Sequence, residues 1–267
     1  MTSPFASDRG GRLILRGGLA NAAGFLVRFG ARFGFLLVGA RLFGVESLGA
    51  YAIALAAVEL GVMAGGLGSR WLVFQWIDER EAGRPPLHPV LDAASLAAFG
   101  SLCVALPVAG AAWFLPSSFL APRTALALLI LAPTILLQAL VELLLAATRW
   151  TQAVRFDVIG KSVVQPWVGI VAAFAAYAAG WSAAGLALSY VAASLAALGY
   201  AIWGVSRCFP VTERTGWRPS RARLTAMARH GAPTMLGEAA DGVAARLDLW
   251  LIGALLGEAA AGVFGLP

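Results

Sequence analysis

Seven stretches of roughly 20 residues run along this chain with very little charge, and no other feature constrains its fold as strongly. They extend roughly from Gly17 to Ala40, Leu48 to Gly68, Val90 to Phe114, Thr124 to Ala147, Ser162 to Ala179, Ala184 to Ser206 and Ala232 to Leu256. A helix needs about 20 mostly apolar residues to cross the hydrocarbon core of a bilayer. In that solvent every backbone amide must find its partner inside the segment, which runs of this length do as helices. An eighth stretch begins near Gly262 and meets the last residue at Pro267. Composition agrees, with 60% hydrophobic and only 13% charged residues, half the charged share of about a quarter usual in soluble domains. The expected fold is an all-α integral membrane protein with about seven transmembrane helices.

The net charge of +6 does not point to nucleic acid, because basic residues of membrane proteins mark the loops retained in the cytoplasm. Alternate connectors carry Arg9, Arg12 and Arg16; then Arg70, Arg80 and Arg84; then Arg149, Arg155 and Lys161; then Arg207, Arg214, Arg218, Arg221, Arg223 and Arg229. The opposite side has only Arg41 and Arg123. This bias predicts a cytoplasmic amino terminus, and one helix more or fewer would scramble it. No cleavable signal peptide is apparent, since the first apolar stretch carries Arg28 and Arg32 and lacks a small-residue cleavage site. Cys103 and Cys208 show neither metal nor redox spacing. His88 and His230 fall in polar connectors, and no nucleophile motif or phosphate-cradling loop occurs. No enzyme activity, metal or cofactor is expected.

One piece of punctuation is written twice. "FGVESLGAYA" at Phe43–Ala52 and "LGEAAAGVFG" at Leu256–Gly265 align at an offset of 213 residues, placing Leu42, Gly44 and Gly49 on Leu255, Gly257 and Gly262. Each copy follows an odd-numbered span, and six spans separate them, so the two share one orientation. That is the pattern of a parallel repeat of six-helix units. Gly44 and Gly257 suit helix ends needing positive φ, and Gly49 and Gly262 would let the next helix pack closely. The expected organisation is an amino-terminal lobe over 1–206, a basic connector with an amphipathic helix over 207–231, and the start of a second lobe over 232–267. On this reading the chain is truncated within its second unit. In the connector, Ser220 is placed to cap a helix whose Leu224, Met227 and Ala228 share one side.

Ionisable residues inside spans are costly and face a bundle interior or a water-filled cavity. At 100° per residue, Asn21, Arg28, Arg32 and Gly39 share a narrow stripe of the first span. The two arginines repel each other. They either pair with membrane acids such as Glu59 and Glu142, snorkel to an interface, or line an anion-attracting cavity. Thr134, Gln138, Glu142 and Arg149 make a second stripe, and Glu59 shares a face with Gly66 and Arg70. The seventh span carries Glu238, Asp241 and Asp248 on one side, with Arg246 further round. Four polar faces imply a polar central pathway. Pro107, Pro133, Pro166 and Pro233 permit bends in or at the start of spans.

"LVGARLFGVESLGAYAIALA", "LAATRWTQAVRFDVIGKSVVQPWVGIV" and "ARHGAPTMLGEAADGVAARLDLWLIGALLGEAAAGVF" together resemble bacterial polysaccharide-export flippases, the Wzx-like members of the multidrug/oligosaccharidyl-lipid/polysaccharide exporter superfamily. The resemblance covers essentially the whole chain and implies a multi-pass protein of the bacterial inner membrane. It implies a lipid-linked oligosaccharide, typically on undecaprenyl diphosphate, translocated by alternating access for surface polysaccharide biosynthesis. Arg28 and Arg32, with Arg246, are then expected to hold the diphosphate, bidentate Arg–phosphate pairing giving this its chemistry. Asn21, Glu59, Gln138, Glu142, Asp241 and Asp248 would balance charge or carry a coupling ion. The partners so implied are the lipid bilayer, the lipid-linked glycan, and a glycan polymerase or glycosyltransferases. Two alternatives stay open: a cation-coupled multidrug exporter of the same superfamily, and a non-transporting scaffold for glycan-synthesis enzymes.

Overall fold

The structure, a computed structural model, describes residues 26, 27, 29–31, 33–116, 119–181 and 184–264. Among these, every regular element is helical. Helix α1 covers 33–43. It is followed by α2 (Val45–Gly66), α3 (Ser69–Asp78), α4 (Leu87–Phe114), α5 (Pro122–Leu131), α6 (Thr134–Trp150), α7 (Val154–Ile159), α8 (Gln165–Ala178) and α9 (Gly185–Cys208). The chain then continues through α10 (Arg221–Ala244), α11 (Leu247–Leu256) and α12 (Glu258–Phe264). Among the described residues four helical segments are long and apolar enough to cross a membrane, or five when the bent α5–α6 pair counts as one span. This is an all-α, multi-pass membrane architecture.

The breaks have chemical causes. Pro133 lacks the amide that would continue α5, and the α5–α6 pair bends by 44° there. The Thr134 hydroxyl donates to the Leu131 carbonyl at 2.5 Å, one of the repairs by which membrane helices tolerate proline. Between α2 and α3 two left-handed residues, Leu67 (φ 49°) and Gly68 (φ 64°), jog the axis, but helical segments continue on to Asp78. Between α7 and α8 the helix widens into a π turn over Gly160–Val164, just before Pro166. Pi turns of this kind recur at functional sites.

The second half of the chain departs from expectation. Helix α10 runs unbroken from the basic connector past Pro233 to Ala244, so the position expected to separate connector from seventh span lies inside one helix. That span is instead divided at Ala245–Arg246, leaving α11 only 10 residues long. Ser220 sits at the N-cap of α10 but makes no side-chain capping bond there. The amphipathic start of α10 packs on protein, with Met227 against the buried cluster of Val73, Ile77, Leu87, Val90 and Leu143.

Asp92 of α4 anchors the same region. Its carboxylate is fully buried and accepts from Arg84 at 2.5 Å, Arg223 at 3.1 Å and the Trp217 indole at 3.0 Å. A buried carboxylate stays charged only with partners of this kind. Trp217 and Arg223 thereby fasten the connector and the start of α10 to the start of α4, with Arg84 of the α3–α4 loop on the same carboxylate.

The repeated glycines meet each other. Gly44 (φ 83°, ψ 159°) and Gly257 (φ 87°, ψ 176°) adopt nearly the same conformation, which side chains resist. After each, the amide four residues on bonds back to the glycine carbonyl: Leu48 to Gly44 at 3.1 Å, Ala261 to Gly257 at 3.2 Å. Helices α2 and α12 then cross at Gly49 and Gly262. A Cβ on Gly49 would lie 1.7 Å from the Glu258 carbonyl oxygen, and one on Gly262 would lie 2.3 Å from that of Val45. Glu258 stands at the position equivalent to Val45, and Gly262 at that of Gly49. Contacts that exchange equivalent positions define a local two-fold axis, and only glycine allows backbones this close.

Candidate functional site: a charged cavity at the seam

Helices α1, α2, α6, α8 and α9 leave a void beside the break between α10 and α11. One cavity of about 320 Å³ is lined by Phe35, Leu36, Tyr51, Leu55, Gly169 and Leu249 on its apolar side, and by Glu59, Lys161, Gln165, Tyr190 and Arg246 on its polar side. A second of about 310 Å³ shares Glu59, Gln165, Tyr190 and Arg246, and adds Arg70, Gln138 and Glu142. The shared residues make the two adjoining chambers, one amphipathic and one polar. Among the described residues three bases and two acids line them.

Each charged group arrives through a local feature. Glu59 lies in mid-α2, and Arg70 in the first turn of α3, just past the left-handed jog. Lys161 rides the π turn before α8. Arg246 occupies the break between α10 and α11, where backbone leaves the helical region (φ −124°, ψ −3°). It pairs there with Glu59.

The second chamber opens onto a chain of ion pairs. Arg70 holds Glu238 of α10 through two nitrogens on one oxygen, at 2.7 and 2.8 Å, and the Trp71 indole donates to the same oxygen. Arg70 also reaches Glu142 at 3.5 Å, and Glu142 accepts from Lys161 at 3.1 Å. Lys161 continues to Asp157 at 3.2 Å, and Arg149 lies 3.8 Å from that carboxylate. Among the described residues, with Arg246–Glu59, this makes four acids and four bases, formally neutral. The side chains of Arg70, Glu142, Lys161, Glu59 and Arg246 retain 20–30% exposure. They are wet enough to exchange partners yet sheltered enough for Coulomb forces to exceed their worth in bulk water.

The expected site residues fare differently. Glu59, Gln138, Glu142 and Arg246 line the cavity, and Gln138 is buried and donates to the Ser194 hydroxyl at 3.0 Å. Asp241 and Asp248 are exposed and line neither chamber; the Asp248 carboxylate accepts the neighbouring Leu249 amide at 2.8 Å. The break at Ala245–Arg246 puts Asp248 on a different helix from Glu238 and Asp241, so the helical-wheel grouping across one unbroken span does not hold. Asn21, Arg28 and Arg32 lie outside the described residues. Arg70, Lys161, Gln165 and Tyr190 are cavity residues that sequence reasoning left out. The apolar runs assign Arg70 and Lys161 to connectors, but α3 and the α7–α8 segment extend the helices past those runs.

Among the described residues no group of His, Cys, Asp and Glu could hold a metal ion. The arrangement offers recognition: guanidinium and ammonium donors beside an apolar wall, with carboxylates able to release them. No curated protein and no solved structure matches the chain. A family model does, over residues 14–267, and by that match the chain belongs to the polysaccharide biosynthesis protein family.

Proposed function

We propose that this protein translocates a lipid-linked oligosaccharide across the bacterial inner membrane by alternating access, the diphosphate of the carrier lying in the seam cavity. The observation that carries the reading is the two-sided lining. Phe35, Leu36, Leu55 and Leu249 offer apolar surface while Lys161 and Arg246 stand opposite, and a polyprenyl diphosphate needs both at once. Arg246 and Lys161 bind phosphoryl oxygens in the described residues, and Arg28 and Arg32 are the further guanidinium groups assigned to the same anion. Guanidinium forks suit bidentate phosphate recognition.

The cavity lies between the first six segments and the start of the repeated unit, where rocking of one body against the other opens either end. The Arg246–Glu59 and Arg70–Glu238 pairs bridge that seam. Arrival of an anionic substrate would exchange their carboxylates for phosphate, linking binding to motion. Among the described residues each carboxylate lining the cavity faces a base, which favours this reading over a multidrug exporter that would present uncompensated acids to a cationic drug.

The test is transfer of a fluorescent diphosphate-linked oligosaccharide lipid across proteoliposomes containing the full chain. Transfer by the wild type, abolished in the Arg28→Ala/Arg32→Ala and Lys161→Gln variants with membrane insertion intact, is the expected result. Unchanged transfer in all of them overturns the assignment.

A further inference from the structure

Two arginines stand apart from the ion-pair chain. Arg155 opens α7 and Arg207 closes α9, and both are exposed. Among the described residues neither has a carboxylate within salt-bridge distance, whereas Arg70, Arg84, Arg149, Lys161, Arg223 and Arg246 are all held by acids. Each is instead parked on a ring: Arg155 lies 5.0 Å from the centroid of Phe156, and Arg207 lies 5.7 Å from that of Trp203. Those two rings contact each other edge-to-face at 5.4 Å. The result is a continuous step of guanidinium, two aromatic rings and guanidinium, shared by α7 and α9. Stacking pre-orients a guanidinium and leaves its N–H fork free.

The setting identifies the ligand. From this step the apolar side chains of Leu195 and Ile202, 54% and 52% exposed, run seven residues apart along one stripe of α9. A stripe of that kind faces lipid tails. Trp203, 47% exposed, sits at its end, as indoles do at the headgroup level. Unpaired cations at the end of a lipid-facing stripe meet phosphodiesters before anything else. We propose that Arg155 and Arg207, stacked on Phe156 and Trp203, form a binding site for the headgroup phosphate of an anionic phospholipid, with its acyl chains along α9. This site lies outside the seam cavity and does not depend on what that cavity carries.

The experiment is native mass spectrometry of the purified full chain, titrated with phosphatidylglycerol or phosphatidylcholine. Each basic residue near an anionic headgroup contributes about 1 kcal/mol. The Arg155→Gln/Arg207→Gln variant is therefore expected to lose phosphatidylglycerol affinity on the order of thirty-fold while its phosphatidylcholine binding stays level. Trp203→Leu, which keeps both charges but removes a stacking platform, is expected to weaken the same adduct. Should the double variant fail to fold, Arg155→Lys/Arg207→Lys carries the test, with partial retention expected. Arg218→Gln/Arg221→Gln, removing two exposed connector arginines, is expected to leave affinity unchanged. Equal losses in that control, equal wild-type affinity for both lipids, or displacement of the adduct by millimolar inorganic phosphate would overturn the site.

Discussion

Placing a methyl group on Gly49 should separate two helices that only glycine allows to touch. The Cβ of Gly49→Ala would stand 1.7 Å from the Glu258 carbonyl oxygen, 2.7 Å from its carbon and 2.9 Å from the Gly262 nitrogen. Ordinary contact begins near 3.4 Å, and all three atoms are backbone, so α12 must retreat by about 1.7 Å. Overpacking of this kind costs about 1–3 kcal/mol. A clash this deep against backbone falls in the upper part of that range, about 2–3 kcal/mol, and alanine's helical preference over glycine returns about 1 kcal/mol, leaving a net loss of about 1–2 kcal/mol. For a chain of this size that lowers the unfolding midpoint by roughly 2–8 °C.

Gly262→Ala needs a smaller retreat, about 1.1 Å from the Val45 oxygen, and should cost less. Because both methyl groups push on one crossing, the displacement that relieves the larger clash also relieves the smaller. The double variant should therefore lose less than the two single losses together, by about 0.5–1 kcal/mol. Gly110→Ala, with open space around its Cβ, is the control and should be neutral or stabilising. The assay is thermal unfolding of detergent-solubilised protein followed by size-exclusion chromatography. A Gly49→Ala variant as stable as wild type, or strictly additive losses, would refute the reciprocal crossing.

Other perturbations follow from the same geometry. Asp92→Ala removes the fully buried carboxylate that holds two partly exposed guanidinium groups and an indole and should cost about 3 kcal/mol. Limited proteolysis should then cleave the connector between α9 and α10, with Asp92→Asn affected less. Thr134→Val removes the hydroxyl that serves the Leu131 carbonyl at the Pro133 bend and should cost about 1 kcal/mol in the same thermal assay, with Thr134→Ser close to wild type. Glu142→Gln withdraws the shared carboxylate between Arg70 and Lys161. It should strengthen binding of pyrophosphate to the purified chain about tenfold, as measured by isothermal titration.

The helices and the cavity were legible to different degrees, for physical reasons. Apolar runs announced α4, α5–α6 and α9 because burial in lipid demands length and hydrophobicity together. Their ends were less visible, because a helix continues into polar sequence wherever its backbone bonds have no better partner. Val154–Ile159 precedes the apolar run expected to open at Ser162, and so carries Lys161 onto a helix. The break at Arg246 was hidden, since "AARLDLW" contains no glycine or proline to mark it. The glycine repeat could be read because positive φ and close approach each require the same residue type. Asp92 gave no such signal: its partners at 84, 217 and 223 come together only in the folded chain. Wheel arithmetic grouped Gln138 and Glu142 correctly on α6, but it also enrolled Arg149, which turns instead to Asp157.

On the proposed reading the seam cavity holds a diphosphate through bases that its own acids restrain. The most direct measurement is the affinity of a polyprenyl diphosphate for the purified chain, compared between Glu59→Gln and Arg246→Gln. The two side chains form one ion pair, so a purely structural role predicts similar damage from either change. Anion recognition instead predicts opposite signs: binding about tenfold tighter when the acid is neutralised and about tenfold weaker when the base is removed. Affinities that fall together, or do not move, would contradict the account.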